Sequence, residues 1–250
     1  MLIPIEELSK KFSICPSAIL HIGAHLGEER EEYLANGWGR NEGILWIEAQ
    51  KDLCEILSRK FDNSFPSESV INALVWNMDG TTKPFYISNS TQSSSMLAFG
   101  DHSKLYPSVK TVDQIELQTS RLDSLIMTSS YLKRFDFINL DIQGVELQAL
   151  EGMDSLLLDV TWIYTEVNFD EIYRDCSRVF QIDEYLSGFG FKRLLTRKAV
   201  RRGWGDALYV KNASPNLKFR CFRWSLRETF LEIHHKVTNR FQRFLQTCGG

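Results

Sequence analysis

Short runs of apolar and β-branched residues recur along the chain as far as about residue 212, and between them apolar residues return every three or four positions. The runs predict strands at Ala18–Ile22, Gly43–Glu48, Val70–Trp76, Phe135–Leu140, Thr161–Glu166, Phe191–Leu195 and Asp206–Val210. The intervening pattern predicts helices at Glu28–Asn36, Lys51–Phe61, Val145–Glu151 and Asp183–Ser187. Gly37, Gly152 and Gly188 follow three of them, where a glycine closes a helix without a side-chain penalty. Strands alternating with helices imply an α/β fold, Rossmann-like, with a parallel sheet covered by crossover helices.

The alternation breaks between the third and fourth strands. Met78-Asp79-Gly80 reads as a turn, and Lys83–Ser88 as a return strand that Pro84, lacking an N–H, confines to an edge. A Ser/Thr-rich segment, Ser90–Ser95 with Gln92 inside it, leads through Met96–Gly100 to Pro107. A connection of that length over a sheet is either an active-site lid or a surface loop.

Past residue 212 the pattern changes to Leu226, Phe230, Ile233, Val237, Phe241, Phe244 and Leu245, an apolar stripe at helical spacing. The expected organisation is a catalytic-type domain over 1–212 and a basic amphipathic helical tail over 213–250. Such a stripe must be covered by the domain, by a second subunit of a homo-oligomer, or by a membrane surface.

Charge sharpens this division. The chain carries −3 overall, but 218–243 holds seven Lys/Arg against Glu228 and Glu232, which leaves −8 for the rest. An acidic body argues against nucleic acid as a partner, because neutralising phosphates needs a basic surface. No stretch approaches the ~18 uncharged apolar residues of a membrane span, and the N-terminal residues lack the pattern of a signal peptide. The expected location is therefore cytoplasmic, and the five scattered cysteines are expected to be reduced.

The first strand runs directly into Gly23-Ala24-His25-Leu26-Gly27 and then a helix. Glycine there either lets backbone approach a ligand or simply permits a tight turn. Glu48 closes the second strand 21 residues after Gly27, where a carboxylate can accept from both hydroxyls of a ribose. The helix after the glycines opens Glu28-Glu29-Arg30-Glu31-Glu32, so a pyrophosphate would face like charge. S-adenosylmethionine, with its sulfonium and ammonium, tolerates those acids better than NAD does. At the end of the third strand, Ala73 and Leu74 could line an adenine face or be ordinary core.

Together these residues resemble the FkbM-type methyltransferase family. The likeness is carried by Ile22-Gly23-Ala24-His25-Leu26-Gly27-Glu28, Trp46-Ile47-Glu48-Ala49, Leu140-Asp141-Ile142-Gln143-Gly144-Val145-Glu146, Glu166-Val167-Asn168 with Glu171-Ile172-Tyr173, and Gly205-Asp206-Ala207-Leu208-Tyr209-Val210. Thr119–Leu125 resembles a further segment of that family, and coverage is about residues 17–212. The resemblance implies a class I methyltransferase sheet of seven strands with the last one antiparallel. It also implies S-adenosylmethionine as donor, and a sugar, glycan or natural-product hydroxyl as acceptor. His21 departs from the pattern, since many members carry an acid at that position.

Methyl transfer to oxygen needs the acceptor held in line with the methyl group and a group to take the hydroxyl proton. The expected catalytic residues are Asp141, Glu166 and His25. The expected donor-binding residues are Gly23, Ala24, His25, Gly27, Glu48, Ala49, Ala73, Leu74 and Asp141. Asp141 could be base, metal ligand, anchor for an ammonium, or cap of the following helix. With Glu166 and Asn168 it would form an all-oxygen set suited to Mg²⁺ or Mn²⁺. His102 is a second base candidate; Glu146, inside a helix, and His21, inside a strand, read as structural. The competing readings are an NAD-dependent oxidoreductase and a non-catalytic nucleotide-binding module.

Overall fold

The computed structural model describes residues 1–61, 67–128, 134–200 and 202–229. Ala18–Ile22 (β1) and Gly43–Glu48 (β2) are buried at every position, as strands covered on both faces must be. Ile5–Phe12 (α1), Arg30–Ala35 (α2) and Lys51–Phe61 (α3) lie around them. The chain continues through Glu68–Asn72 (β3), Leu74–Val75 (β4), Thr82–Ser88 (β5), His102–Leu105 (α4), Thr111–Ser120 (β6) and Leu122–Thr128 (α5). Phe137–Leu140 (β7), Glu146–Glu151 (α6), Trp162–Asn168 (β8), Val179–Gly188 (α7), Phe191–Lys198 (β9) and Trp204–Lys211 (β10) complete the body.

Among the described residues, seven strands form one sheet in the order β3-β2-β1-β7-β8-β10-β9. The pairs from β3 to β8 are parallel, and β10 runs antiparallel to both β8 and β9. The order reverses between β1 and β7, where the outgoing crossovers leave toward opposite edges. A crevice opens at such a point beyond the carboxyl ends of the strands. One core cluster, including Leu20, Leu140, Ile163 and Ile182, fills one face of the sheet. A second, including Trp38, Trp46, Phe137 and Leu208, fills the other.

The expected strand Val70–Trp76 divides in two. Ala73 donates to the main-chain oxygen of Glu48, after which Leu74–Val75 leaves the large sheet and pairs with β6 instead. In this small sheet, ordered β4-β6-β5, the Pro84-bearing strand lies at the edge as its missing donor requires. The helix expected at Glu28–Asn36 forms over Arg30–Ala35 only, and that expected at Asp183–Ser187 extends over Val179–Gly188.

Residues 215–229 are helical. Trp224 is buried against this body: its ring meets Phe12 edge-on at 6.2 Å, its indole N–H donates to Glu7 at 2.7 Å, and Arg197 lies over its face. The rest of the expected tail stripe, from Phe230 onward, lies outside the described residues. Cys15, Cys54, Cys176 and Cys221 are free thiols. No helix among the described residues is long and apolar enough to cross a membrane.

Candidate functional site

The site is built where β1 and β2 end. Gly23 adopts φ +83°, and its N–H and that of Ala24 both donate to the Ile47 carbonyl at 3.0 Å. This ties the turn to β2. His25 also has positive φ, and its N–H reaches Glu48 Oε2 at 2.8 Å, while Gln50 N–H reaches Oε1 at 2.8 Å. Glu48 is thus oriented by two main-chain donors, and burial raises its pKa above the usual carboxylate range.

A narrow cavity opens beside it, enclosing about 550 Å³ with its mouth included. Ala49, Ala73 and Leu74 line it, with Gly23, His25, Glu48 and Asp141. Its other walls include Phe85, Met96 and Val145, from segments far apart in sequence. Apolar faces beside the oriented Glu48 carboxylate suit a flat ring joined to a group that bears hydroxyls.

Ala24 and Gly27 do not line this cavity or its neighbour. Ala24 is buried among the core side chains behind the turn. A Cβ on Gly27 would meet the Phe61 ring at 2.6 Å, so that glycine admits α3 and not a ligand.

Gly23, His25, Gln92, Asp141 and Gln143 are shared with a second, larger cavity of about 1250 Å³, mouth included. Here Gln143 Nε2 donates to Asp141 Oδ1 and, at 3.2 Å, to Glu166 Oε2, while Tyr173 donates its hydroxyl proton to Gln143 Oε1. Tyr173 therefore fixes which end of the amide faces the carboxylates. Asp206 accepts from the Tyr164 hydroxyl and from the Leu2 N–H. Trp204 and Tyr106, joined by an indole-to-hydroxyl bond of 3.1 Å, supply aromatic wall.

Burial dominates the acid–base character of this cavity. The surrounding mass of protein lifts Asp141 to about 6, although the Asp141 side chain itself opens into the cavity and is exposed there, with Asp206 adding like-charge repulsion; Glu146, fully buried, rises to about 7. Glu166 is raised well above its ordinary value, by burial first and then by Asp141, Glu146 and Asp206. Glu146 is structural as expected: fully buried, it accepts from the Ile142 and Gly144 N–H groups. His21 is pushed down to about 4 by burial and is neutral, beside the Tyr33 hydroxyl at 3.3 Å. His102, also lowered by burial, stacks on Phe99 at 4.3 Å in the cavity wall.

The expected Asp141–Glu166–Asn168 metal set does not assemble. Asn168 is buried outside both cavities, and its amide atoms find no hydrogen-bond partner among the described residues. The Gln143 NH₂ already bridges the two carboxylates, supplying donors where a cation would sit. Among the described residues no group of three His, Cys, Asp or Glu could hold a metal ion.

His25 is positioned but engaged. Nδ1 meets Glu28 at 2.5 Å and Nε2 meets Thr91 at 2.7 Å, so neither ring nitrogen is left to act as a base in this arrangement. The same contact brings the Ser90–Ser95 segment down on the glycine turn, helped by Gln92 to Glu28 at 3.2 Å.

Sequence reasoning missed Gln143, Tyr173, Trp204 and Asp206 as site residues. All stand inside or next to the motif blocks that carried the family likeness, which was the available signal. Phe85 lies in the expected edge strand and Thr91 and Met96 in the segment read as a lid or surface loop, but nothing in those segments singles them out, because the small sheet and its loops are what bring them to the cavity.

A seven-stranded sheet of this order, with its reversed strand between β8 and β9 and a cavity at the glycine turn after β1, defines the class I methyltransferase fold. The chain belongs to the FkbM methyltransferase family: the methyltransferase FkbM domain matches residues 21–193. Methyltransferase FkbM from Methylobacillus flagellatus KT superposes with a TM-score of 0.52 at 14% identity, over 83% of this chain and 48% of that one. This chain thus spans about half the length of that protein. A ribosomal protein L11 methylase from Lactobacillus delbrueckii subsp. bulgaricus gives a TM-score of 0.45 at 10% identity, over 85% and 76% of the two chains. The magnesium protoporphyrin IX methyltransferase of Synechocystis PCC 6803, solved with bound S-adenosylhomocysteine, gives 0.46 at 8% identity, over 83% and 80%. No curated protein sequence matches the chain significantly.

Proposed function

We propose that the chain transfers a methyl group from S-adenosylmethionine to a hydroxyl oxygen of a sugar, glycan or small natural product. The observation that carries this reading is the junction of two unlike cavities at Gly23 and Asp141. The narrow one has the apolar walls and oriented Glu48 that an adenosine requires. The wide one is rimmed by Asp141, Glu166, Asp206, Glu28 and Glu29, and so favours cationic or neutral groups.

The residues fit the donor. Glu48 retains unused lone pairs for ribose hydroxyls after accepting from His25 and Gln50. Gly23, without a side chain, lets the end of β7 come against the turn, and so brings Asp141 to the junction, where it offers a carboxylate to the ammonium. The donor, when bound, supplies an electrophilic methyl group on a positively charged sulfur. Glu166, made more basic by burial and like-charged neighbours, would take the hydroxyl proton at a carboxylate oxygen, while Gln143 holds that carboxylate in place. Tyr106, Tyr173 and Trp204 offer flat apolar surface to the face of a sugar ring.

Labelled S-adenosylmethionine incubated with neutral glycosides and small polyols tests the acceptor class. Thermal shift with S-adenosylhomocysteine against NAD tests the donor. Stabilisation by NAD alone would favour an oxidoreductase. Stabilisation by S-adenosylhomocysteine with label moving only to nitrogen or carbon acceptors would remove the oxygen assignment.

A further inference from the structure

The helix over 215–229 has two opposed faces. At a helical advance of about 100° per residue, Leu217, Cys221, Trp224 and Glu228 share one side. That side is docked: Cys221 and Trp224 are buried, and Glu228 pairs with Arg197 at 3.0 Å. The opposite side carries Phe219, Phe222 and Leu226, exposed at 60%, 59% and 56%. Lys218 flanks this stripe on one side and Arg223 and Arg227 on the other, all three exposed, and the Arg223 guanidinium lies 5.9 Å from the Phe219 ring centre.

We propose that this face lies on an anionic lipid bilayer. Charge decides the occupant. Glu228, the acid of this helix, is already held by Arg197, so the exposed face presents cations with no balancing anion of its own. A second copy offering the same face would set Lys218, Arg223 and Arg227 against their own kind. An acidic peptide would need a groove, whereas the stripe is the convex crest of a single helix. An apolar crest with cations along both flanks fits a membrane surface: the rings enter the acyl boundary while the basic stems reach up to the lipid phosphates. The sequence beyond, to residue 243, adds Lys236, Arg240 and Arg243 against Glu232.

Through its docked side, the helix that bears this face also has a physical link to the larger cavity. Arg197, which holds Glu228, donates to the Leu2 carbonyl, and Leu2 N–H donates to Asp206 in the cavity wall.

Co-sedimentation of the full chain with vesicles tests the proposal, using phosphatidylcholine alone and phosphatidylcholine mixed with phosphatidylserine. The chain is expected to sediment with the mixed vesicles only, and to be released by high salt. Removing one flanking cation, R223Q, is expected to weaken binding about fivefold. F219S/F222S/L226S and K218E/R223E/R227E are each expected to abolish binding while leaving the melting temperature near that of the parent, since these side chains touch solvent. Equal binding to both vesicles, no binding, or binding that survives both triple variants would overturn the proposal. So would a dimer that the serine variant disperses, because the face would then belong to a second copy. The assay uses neither donor nor acceptor, so its outcome is independent of the methyl-transfer reading.

Discussion

A Cβ built on Gly23 would lie 1.9 Å from the main-chain oxygen of Asp141. The turn after β1 and the end of β7 therefore meet backbone to backbone, and that approach creates the junction of the two cavities. Gly23→Ala must both hold a positive φ, at roughly 1–2 kcal/mol, and displace a strand end. The expected result is a fall in melting temperature of about 10 °C or more, or failure to fold. Gly80→Ala is the control: its φ is +66° with nothing within 4 Å of the added carbon, so it bears the backbone cost alone and a smaller drop, about 2–8 °C, is expected. Equal melting temperatures for the two variants would contradict the close approach.

Glu48→Gln keeps the shape but replaces a carboxylate that accepts from two main-chain N–H groups. Charged hydrogen bonds are worth ~1.5–3 kcal/mol, so S-adenosylhomocysteine is expected to bind roughly 10- to 100-fold more weakly by calorimetry. Stability is expected to fall by roughly 1–3 kcal/mol, because the new NH₂ faces one of the two main-chain donors and leaves it without an acceptor. Unchanged affinity would show that this carboxylate does not hold the ligand.

Much of this arrangement was readable before the structure, for definite physical reasons. β1, β2 and α3 have their expected limits because fully buried runs and a strongly amphipathic helix leave little freedom in the pattern. Glu48 and Asp141 followed from their places at strand ends. β6 was not legible: most of its positions are exposed, so its sequence lacks the apolar alternation of a half-buried strand. Asn168 was misplaced because two-residue spacing along β8 gives a face but not where the cavity stops. Gln143 was passed over because an amide has no charge, and its value comes from lying between Asp141 and Glu166.

Asp141 has a folded pKa of about 6, above the usual carboxylate value near 4. The folded state therefore keeps a proton that the unfolded chain has released, and stability is lost as pH rises through that interval. His21, depressed to about 4, works in the opposite direction, while Glu146, Glu166, Asp206 and Glu48, all raised, work in the same direction as Asp141, so the wild-type profile alone mixes them all. The difference between Asp141→Asn and wild type reports Asp141 together with its repulsion of Glu146 and Glu166. The variant's advantage in melting temperature should be near zero at pH ~4, grow between ~4 and ~6, and be constant above ~7. A difference independent of pH would mean that Asp141 is not strained by its surroundings.

Gln143→Glu places a third carboxylate between Asp141 and Glu166 and removes the NH₂ that both accept. Three carboxylates this close, with Glu166 buried and Asp141 open to the cavity, repel one another when ionised, so protons are held at a higher pH or the site opens. At pH ~8 the variant should lose several kcal/mol, roughly 10 °C, and at pH ~5, where the cluster can stay protonated, the loss should shrink markedly. A divalent cation offers a second reading, since removing the bridging amide also frees the space in which a metal ion could bind. Mg²⁺ or Mn²⁺ should then stabilise Gln143→Glu in a melting assay and leave wild type unchanged. Metal stabilisation of wild type to the same degree would mean that the amide bridge gives way to a cation in the native protein.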